Sequence, residues 1–287
     1  MNNKTKAICL MLVSAMTFAM MQIMIALTAS TIPLFQQLFF RNLIASLVAY
    51  SAIYRQKLKP LGEKSNRGRL TWRAVFGYLG MITTFYASGH GVQGDVSTIT
   101  KMSPFVVMVL AVIFLKEKVT KYQIVAIVVA FFGVYFVANP QFNSDVLPTI
   151  AAALACIFSG AAYTMVSALK GRERPEVIIF YFSAFSTVVT LPLMMPGFVM
   201  PTPLEWLGLL GIGLFAALGQ ITLTYSYAYA KASEVSIYNY SGIVFSMLFG
   251  WMFLGESLKS TSLLGGLLVI VAGLIVYFGG RKQTNIQ

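Results

Sequence analysis

The chain has 287 residues, 57% of them hydrophobic and only 10% charged, with a formal net charge of +12. Soluble domains carry about 25% charged residues, and the apolar runs here reach about 20 residues, enough to cross roughly 30 Å of hydrocarbon. A soluble domain is excluded, and so is a lipid-facing barrel, whose strands would read as short alternating segments. The excess of positive charge is read as loop charge, so no nucleic-acid partner is expected.

In chain order the expected spans are roughly 7–28, 34–54, 71–90, 95–115, 121–138, 148–168, 177–196, 204–227, 234–254 and 262–280. The first follows Lys4 and Lys6 as a signal peptide would. Its apolar run continues to about Leu27 without a small-residue cleavage site, so it is kept as a membrane helix. The connections are short and marked by Pro or Gly ("STIP", "PGFVMPTP"); the longest, "RQKLKPLGEKSNRGRLTWR", is basic.

With ten spans, one side of the membrane collects Lys4, Lys6, the seven basic residues from Arg55 to Arg73, Lys116, Lys118, Lys121, Lys170, Arg172, Arg174, Lys231, Arg281 and Lys282. The other side holds Lys259, while Arg41 and Lys101 fall inside spans. That bias places the basic side and both termini in the cytoplasm of a multi-pass cell-membrane protein. Cys9 and Cys156 both lie in apolar segments and read as packing residues.

The halves repeat. "DVSTITKMSPFVVMVLAVIFLKE" from Asp95 aligns with "EVSIYNYSGIVFSMLFGWMFLGE" from Glu234, pairing Ser97 with Ser236, Lys101 with Tyr240 and Glu117 with Glu256. Five spans is an odd number, so the second half enters the membrane from the opposite side, an arrangement that recurs in secondary transporters. The expected fold is all-α and polytopic: ten transmembrane helices as two inverted five-helix repeats, residues 1–140 and 147–282.

The stretches "SPFVVMVLAVIFLKEKVTKYQIVAIVVAFFGVYFV" and "SGIVFSMLFGWMFLGESLKSTSLLGGLLVIVAGLIVY" resemble the end of each EamA repeat in the drug/metabolite transporter superfamily. The resemblance covers essentially the whole chain. It implies a transporter of small organic solutes, with a central cavity lined by helices 1, 3, 4, 6, 8 and 9 and with helices 5 and 10 at the periphery.

Several polar residues inside the spans are candidates for function, because a polar group facing lipid would be left unpaired. Lys101 is the foremost. It lies six residues into the fourth span, where a helical face of Ser97, Lys101, Phe105 and Met108 would line the path and the ammonium would bind a carboxylate or phosphate. Snorkelling to the headgroups is the bland alternative. Arg41, at similar depth in the second span, either snorkels or braces helix carbonyls. Tyr238, Asn239 and Tyr240 form an aromatic and amide cluster that reads either as an interfacial aromatic belt or as a cavity wall suited to stacking or hydrogen-bonding an organic solute. Gln22, Tyr86, Tyr163 and Gln220 are further candidates for substrate contact.

Asp95 and Glu234 begin repeat-related helices and read as caps or as gates at the two mouths. His90, the sole histidine, is a loop residue or a proton sensor. Glu117 and Glu256 oppose their own helix dipoles, so each is expected to reach the N-terminus of the following helix or a basic neighbour.

No metal-ligand cluster, nucleotide loop or paired catalytic carboxylate is evident, so neither an enzyme nor a cofactor is expected. The expected partners are a small-molecule substrate and the lipid bilayer, and a monomer suffices because one chain holds both repeats. The leading reading is a secondary transporter or exchanger working by alternating access. Efflux of amphipathic drugs or cations, and a non-transporting receptor or scaffold, stand as alternatives.

Overall fold

The computed structural model describes residues 2–90, 99–138, 146–255 and 260–284. Among them the helices are α1 (Asn3–Thr28), α2 (Leu34–Arg55), α3 (Arg67–His90), α4 (Ser103–Leu115), α5 (Lys121–Ala138), α6 (Val146–Ala168), α7 (Pro175–Met194), α8 (Pro203–Tyr229), α9 (Ser241–Leu254) and α10 (Ser260–Thr284). α9 is preceded by one helical turn, Ala232–Val235, and a 3-10 segment, Ser236–Tyr240. Asn3–Thr28, Val146–Ala168, Pro175–Gly197, Pro203–Tyr229 and Ala232–Leu254 are long and apolar enough to cross a bilayer, and three shorter apolar helices accompany them. Large apolar side chains such as Phe114, Val125, Leu207 and Leu267 point outward, which suits lipid as the surrounding solvent.

The local signals are familiar ones. Pro175 opens α7, where its missing N–H costs nothing. α8 begins with a capping box: Thr202 and Glu205 satisfy each other's backbone N–H, and Pro203 takes the first position.

Packing has a two-fold pattern. α1 packs on α8 as α6 packs on α3, α1 meets α9 as α6 meets α4, α2 meets α8 as α7 meets α3, and the pairs α2–α7 and α5–α10 are their own equivalents. Close approaches repeat as well. A Cβ at Gly219 of α8 would lie 3.0 Å from the Thr17 hydroxyl of α1, and one at Gly80 of α3 would lie 2.9 Å from the Ser159 hydroxyl of α6. Even the helix ends agree. Lys116 after α4 and Gly255 after α9, repeat-related, both end their helices in the left-handed region, at φ 55° and 68°. Each cap N–H returns to an equivalent carbonyl, Ala111 or Gly250.

The inversion is direct. The C-terminus of α4 and the N-terminus of the segment leading to α9 meet at one end of the bundle, where the Glu117 carboxylate accepts from Ser233. The same end gathers the basic loops. Asn66 and the Glu63 N–H donate to Glu173, and Lys4 lies 3.6 Å from Glu234. We call it the basic end.

Two sequence expectations are corrected. The fourth span is not one helix from residue 95. Residues 99–100 are helical, Lys101–Met102 form a turn, and α4 starts at Ser103. Pro104 lacks the N–H that would bond the Thr100 carbonyl, and its ring would crowd that carbonyl. The i, i+4 face from Ser97 to Met108 therefore does not hold: Phe105 is 42% exposed whereas Met108 is 7% exposed. Secondly, Glu117 reaches the ninth span of the opposite repeat, not the helix that follows it.

Candidate functional site

The fourth and ninth spans are interrupted at repeat-related places. Lys101 lies in the turn before α4, half-buried, and Tyr240 is the last residue of the 3-10 segment before α9, 2% exposed. The break at Lys101 leaves the α4 N-terminus at Ser103 inside the bundle, whereas at Tyr240 the 3-10 segment passes directly into the α9 N-terminus at Ser241, whose N–H bonds back to the Tyr238 and Asn239 carbonyls. Helices of 13 and 14 residues put these N-termini about 20 Å from the ends where α4 and α9 stop, well within a bilayer.

A second cluster lies between α2, α3, α6, α7 and α8. The half-buried Arg41 donates through Nη1 to the Asn42 side-chain oxygen at 3.0 Å and approaches the Met81 sulfur at 3.3 Å. Both partners are neutral. Arg41, Asn42, Ala45, Phe182, Ser183, Ala216 and Gln220 bound a narrow crevice. Tyr163 lies close enough to both Arg41 and Arg73 to interact electrostatically with each, and its ring stacks on the fully buried Tyr227 at 5.9 Å.

Arg73 is the residue that sequence reasoning misplaced. Counted with the basic loop, it is 2% exposed. Its guanidinium stacks on the Phe182 ring at 4.1 Å. A helical Cβ points back toward the N-terminus, which for α3 is the basic end, so an arginine here would ordinarily snorkel out. Gly77, one turn further in, lets it turn the other way: a Cβ at Gly77 would lie 2.3 Å from Arg73 Nη1. The available signal was an arginine one turn before a glycine on a span.

The structure thus brings together Arg41, Tyr163 and Gln220 from the expected set, and adds Asn42, Arg73 and Phe182. Gln220 is buried and donates to Thr224 at 3.4 Å. The other candidates lie elsewhere. Tyr238 packs its ring against Gly273 of α10, and its buried hydroxyl has no hydrogen-bond partner; Asn239 beside it is half-buried. Gln22 is exposed and accepts from Ser246 at 3.4 Å, and Tyr86 is exposed. Asp95 and the side chain of His90 lie outside the described residues, as does Glu256.

Polar contacts join the two repeats at the basic end. Glu117 accepts from the Ser233 N–H at 3.0 Å, the Ser233 hydroxyl at 2.7 Å and the Ala232 N–H at 3.3 Å. Gln123 Nε2 donates to the Ser233 carbonyl at 2.9 Å. Glu176, missed in the sequence, accepts from Gln56 at 3.0 Å and from the Tyr225 hydroxyl, tying α2, α7 and α8. An open groove of about 420 Å³ lies among loop residues 58–63 and 171–177, away from the buried cations.

Two inverted halves, broken helices at their interface and buried cations between them define a membrane transporter. The chain matches the EamA-like transporter family over residues 5–139 and 147–278 and belongs to it. It is 32% identical over 267 residues to a pseudopaline exporter of Pseudomonas aeruginosa strain UCBPP-PA14, covering 92% of this chain and 93% of that one. It is 27% identical to a riboflavin transporter of Rhizobium johnstonii (76% and 74% covered). To human solute carrier family 35 member G1 it is also 27% identical (81% and 68% covered). A solved crystal structure superposes with a TM-score of 0.84, covering 97% of this chain and 99% of the other at 12% identity, a likeness of fold. The chain is therefore a multi-pass transporter of small molecules and not an enzyme.

Proposed function

We propose that this protein is a secondary transporter that exports a small anionic organic metabolite by alternating access, its basic end facing the cytoplasm. The observation that carries the reading is the pair of breaks at Lys101 and Tyr240. Discontinuous helices at a repeat interface present helix N-termini, with their partial positive charge, to a substrate. Here one break adds an ammonium and the other a tyrosine hydroxyl. Repeats of opposite orientation can exchange conformations, so that the site opens to one side and then the other. The positive-inside bias supports the orientation, and likeness to a pseudopaline exporter supports outward flux. In this reading the Glu117–Ser233 lock is the closed cytoplasmic gate. The chain bears no ATPase motif, so gradients or exchange drive the cycle, and one chain suffices.

The test is counterflow in proteoliposomes against a panel of carboxylate and phosphate metabolites. Lys101→Gln removes the charge with little change of size and is expected to abolish counterflow at unchanged expression and melting temperature, while Lys101→Arg retains part of it. Normal transport by Lys101→Gln would leave a snorkelling lysine and no role in anion binding. Saturable counterflow of amphipathic cations alone would favour drug efflux instead.

A further inference from the structure

Arg73 poses a problem that packing does not solve. Its Nε and Nη1 atoms are buried without a hydrogen-bond partner, and it forms no ion pair among the described residues. The ionisable neighbours that act on it are Tyr163 and a second cation, Arg41. A guanidinium is fully charged at physiological pH, and burying one without an anion is unfavourable; natural interiors pair such groups. The Ser186 hydroxyl, one turn beyond Phe182 on α7, is also buried without a partner. α3 and α7 both start at the basic end, so Arg73, turned inward across Gly77, reaches the level of Phe182 and Ser186.

We propose that Arg73 is an anion-binding residue of the transport pathway, taking a carboxylate of a solute that carries a second carboxylate for Arg41. The inference rests on the transporter reading but assigns recognition to a site separate from the helix breaks. A planar guanidinium suits a carboxylate held by charge-assisted hydrogen bonds, and the Nε and Nη1 donors of Arg73 are both unused among the described residues. Phe182, which stacks on Arg73 and also lines the Arg41 crevice, is the side chain that must swing aside. Two cations near Tyr163 favour a multiply charged solute over a monocarboxylate. Arg73 is a site residue rather than a structural brace because, among the described residues, no acceptor uses its Nε or Nη1 donors.

The experiment uses the full chain purified in neutral detergent, with melting followed against acetate, succinate and citrate at constant ionic strength. Wild type is expected to show a saturable rise in melting temperature with succinate or citrate and none with acetate, since a ligand that binds the folded state stabilises it. Arg73→Met, apolar and of similar length, is expected to melt higher than wild type without ligand, because it relieves a buried unpaired charge, and to lose the citrate or succinate shift. Gly77→Ala, which displaces the guanidinium but keeps its charge, is expected to weaken that shift at least tenfold in ligand concentration. A lower melting point for unliganded Arg73→Met with an unchanged ligand shift would make Arg73 structural and overturn the proposal, as would no wild-type shift with either polycarboxylate. A rise with added phosphatidylglycerol but with no soluble carboxylate would assign Arg73 to a lipid headgroup and overturn it too. Lys101→Gln, run in parallel, separates the two readings: loss of the shift there with retention in Arg73→Met leaves the transporter reading standing and removes this one.

Discussion

Glu117 and Ser233, 116 positions apart, link the two repeats at the basic end. One carboxylate accepts from the serine N–H at 3.0 Å and its hydroxyl at 2.7 Å. A carboxylate at the C-terminus of its own helix opposes that helix's dipole, but the same group caps the N-terminus of another. The inverted repeat supplies this geometry, because it brings a helix end and a helix start to the same face.

Under the alternating-access reading this lock weights the closed state of the cytoplasmic gate. Hydrogen bonds to a charged acceptor contribute about 1.5–3 kcal/mol each, so losing them should shift the equilibrium tenfold or more. With both native cysteines replaced by alanine, a single cysteine at Ser236 is expected to react with a polar thiol reagent, applied from the basic side, at least tenfold faster in Glu117→Ala than in the parent. Equal rates would show that the contact bears no gating load.

The repeat-related helix caps predict changes of opposite sign. Lys116 holds φ 55° where its counterpart Gly255 holds φ 68°. A side chain in the left-handed region is disfavoured by about 1 kcal/mol relative to glycine. Lys116→Gly should therefore raise the melting temperature in detergent by a few degrees, and Gly255→Ala should lower it by a similar amount. Both effects should be seen without a change in KM for the transported solute.

Tyr240 is 2% exposed, so truncation to alanine would cost about 3–5 kcal/mol in packing and would confuse stability with function. Tyr240→Phe isolates the hydroxyl. It is expected to lower kcat/KM several-fold at an unchanged melting temperature, whereas Phe131→Ala on α5 should alter stability more than transport. Wild-type kinetics for Tyr240→Phe would make the ring a packing element only.

Orientation has its own check. Cysteines introduced at Asn143 and Gln283 in a cysteine-free background should label from opposite sides of intact cells, Asn143 from outside. Labelling of both from outside would reject cytoplasmic termini.

The sequence by itself determined the class of fold. Long apolar runs can do little but cross a bilayer as helices, since every backbone polar group must be satisfied internally. An odd-numbered repeat whose segments match from Asp95 and Glu234 must also be inverted. The pairing of Lys101 with Tyr240 and of Glu117 with Glu256 was legible there, because local alignment carries repeat geometry. What the tertiary structure decided was the partner of each polar side chain. Glu117 serves the opposite repeat while the N-terminus of the helix that follows it is already capped by Thr120 and Gln123. The face expected through Phe105 dissolved because Pro104 starts a new helix and resets the angular register. Arg73 read as a loop cation because composition counts charge along the chain, whereas its burial depends on Gly77 leaving space and on Phe182 arriving from a helix more than a hundred residues away. Depth and direction of a long side chain are properties of the packed neighbours, and those come together only when the two repeats do.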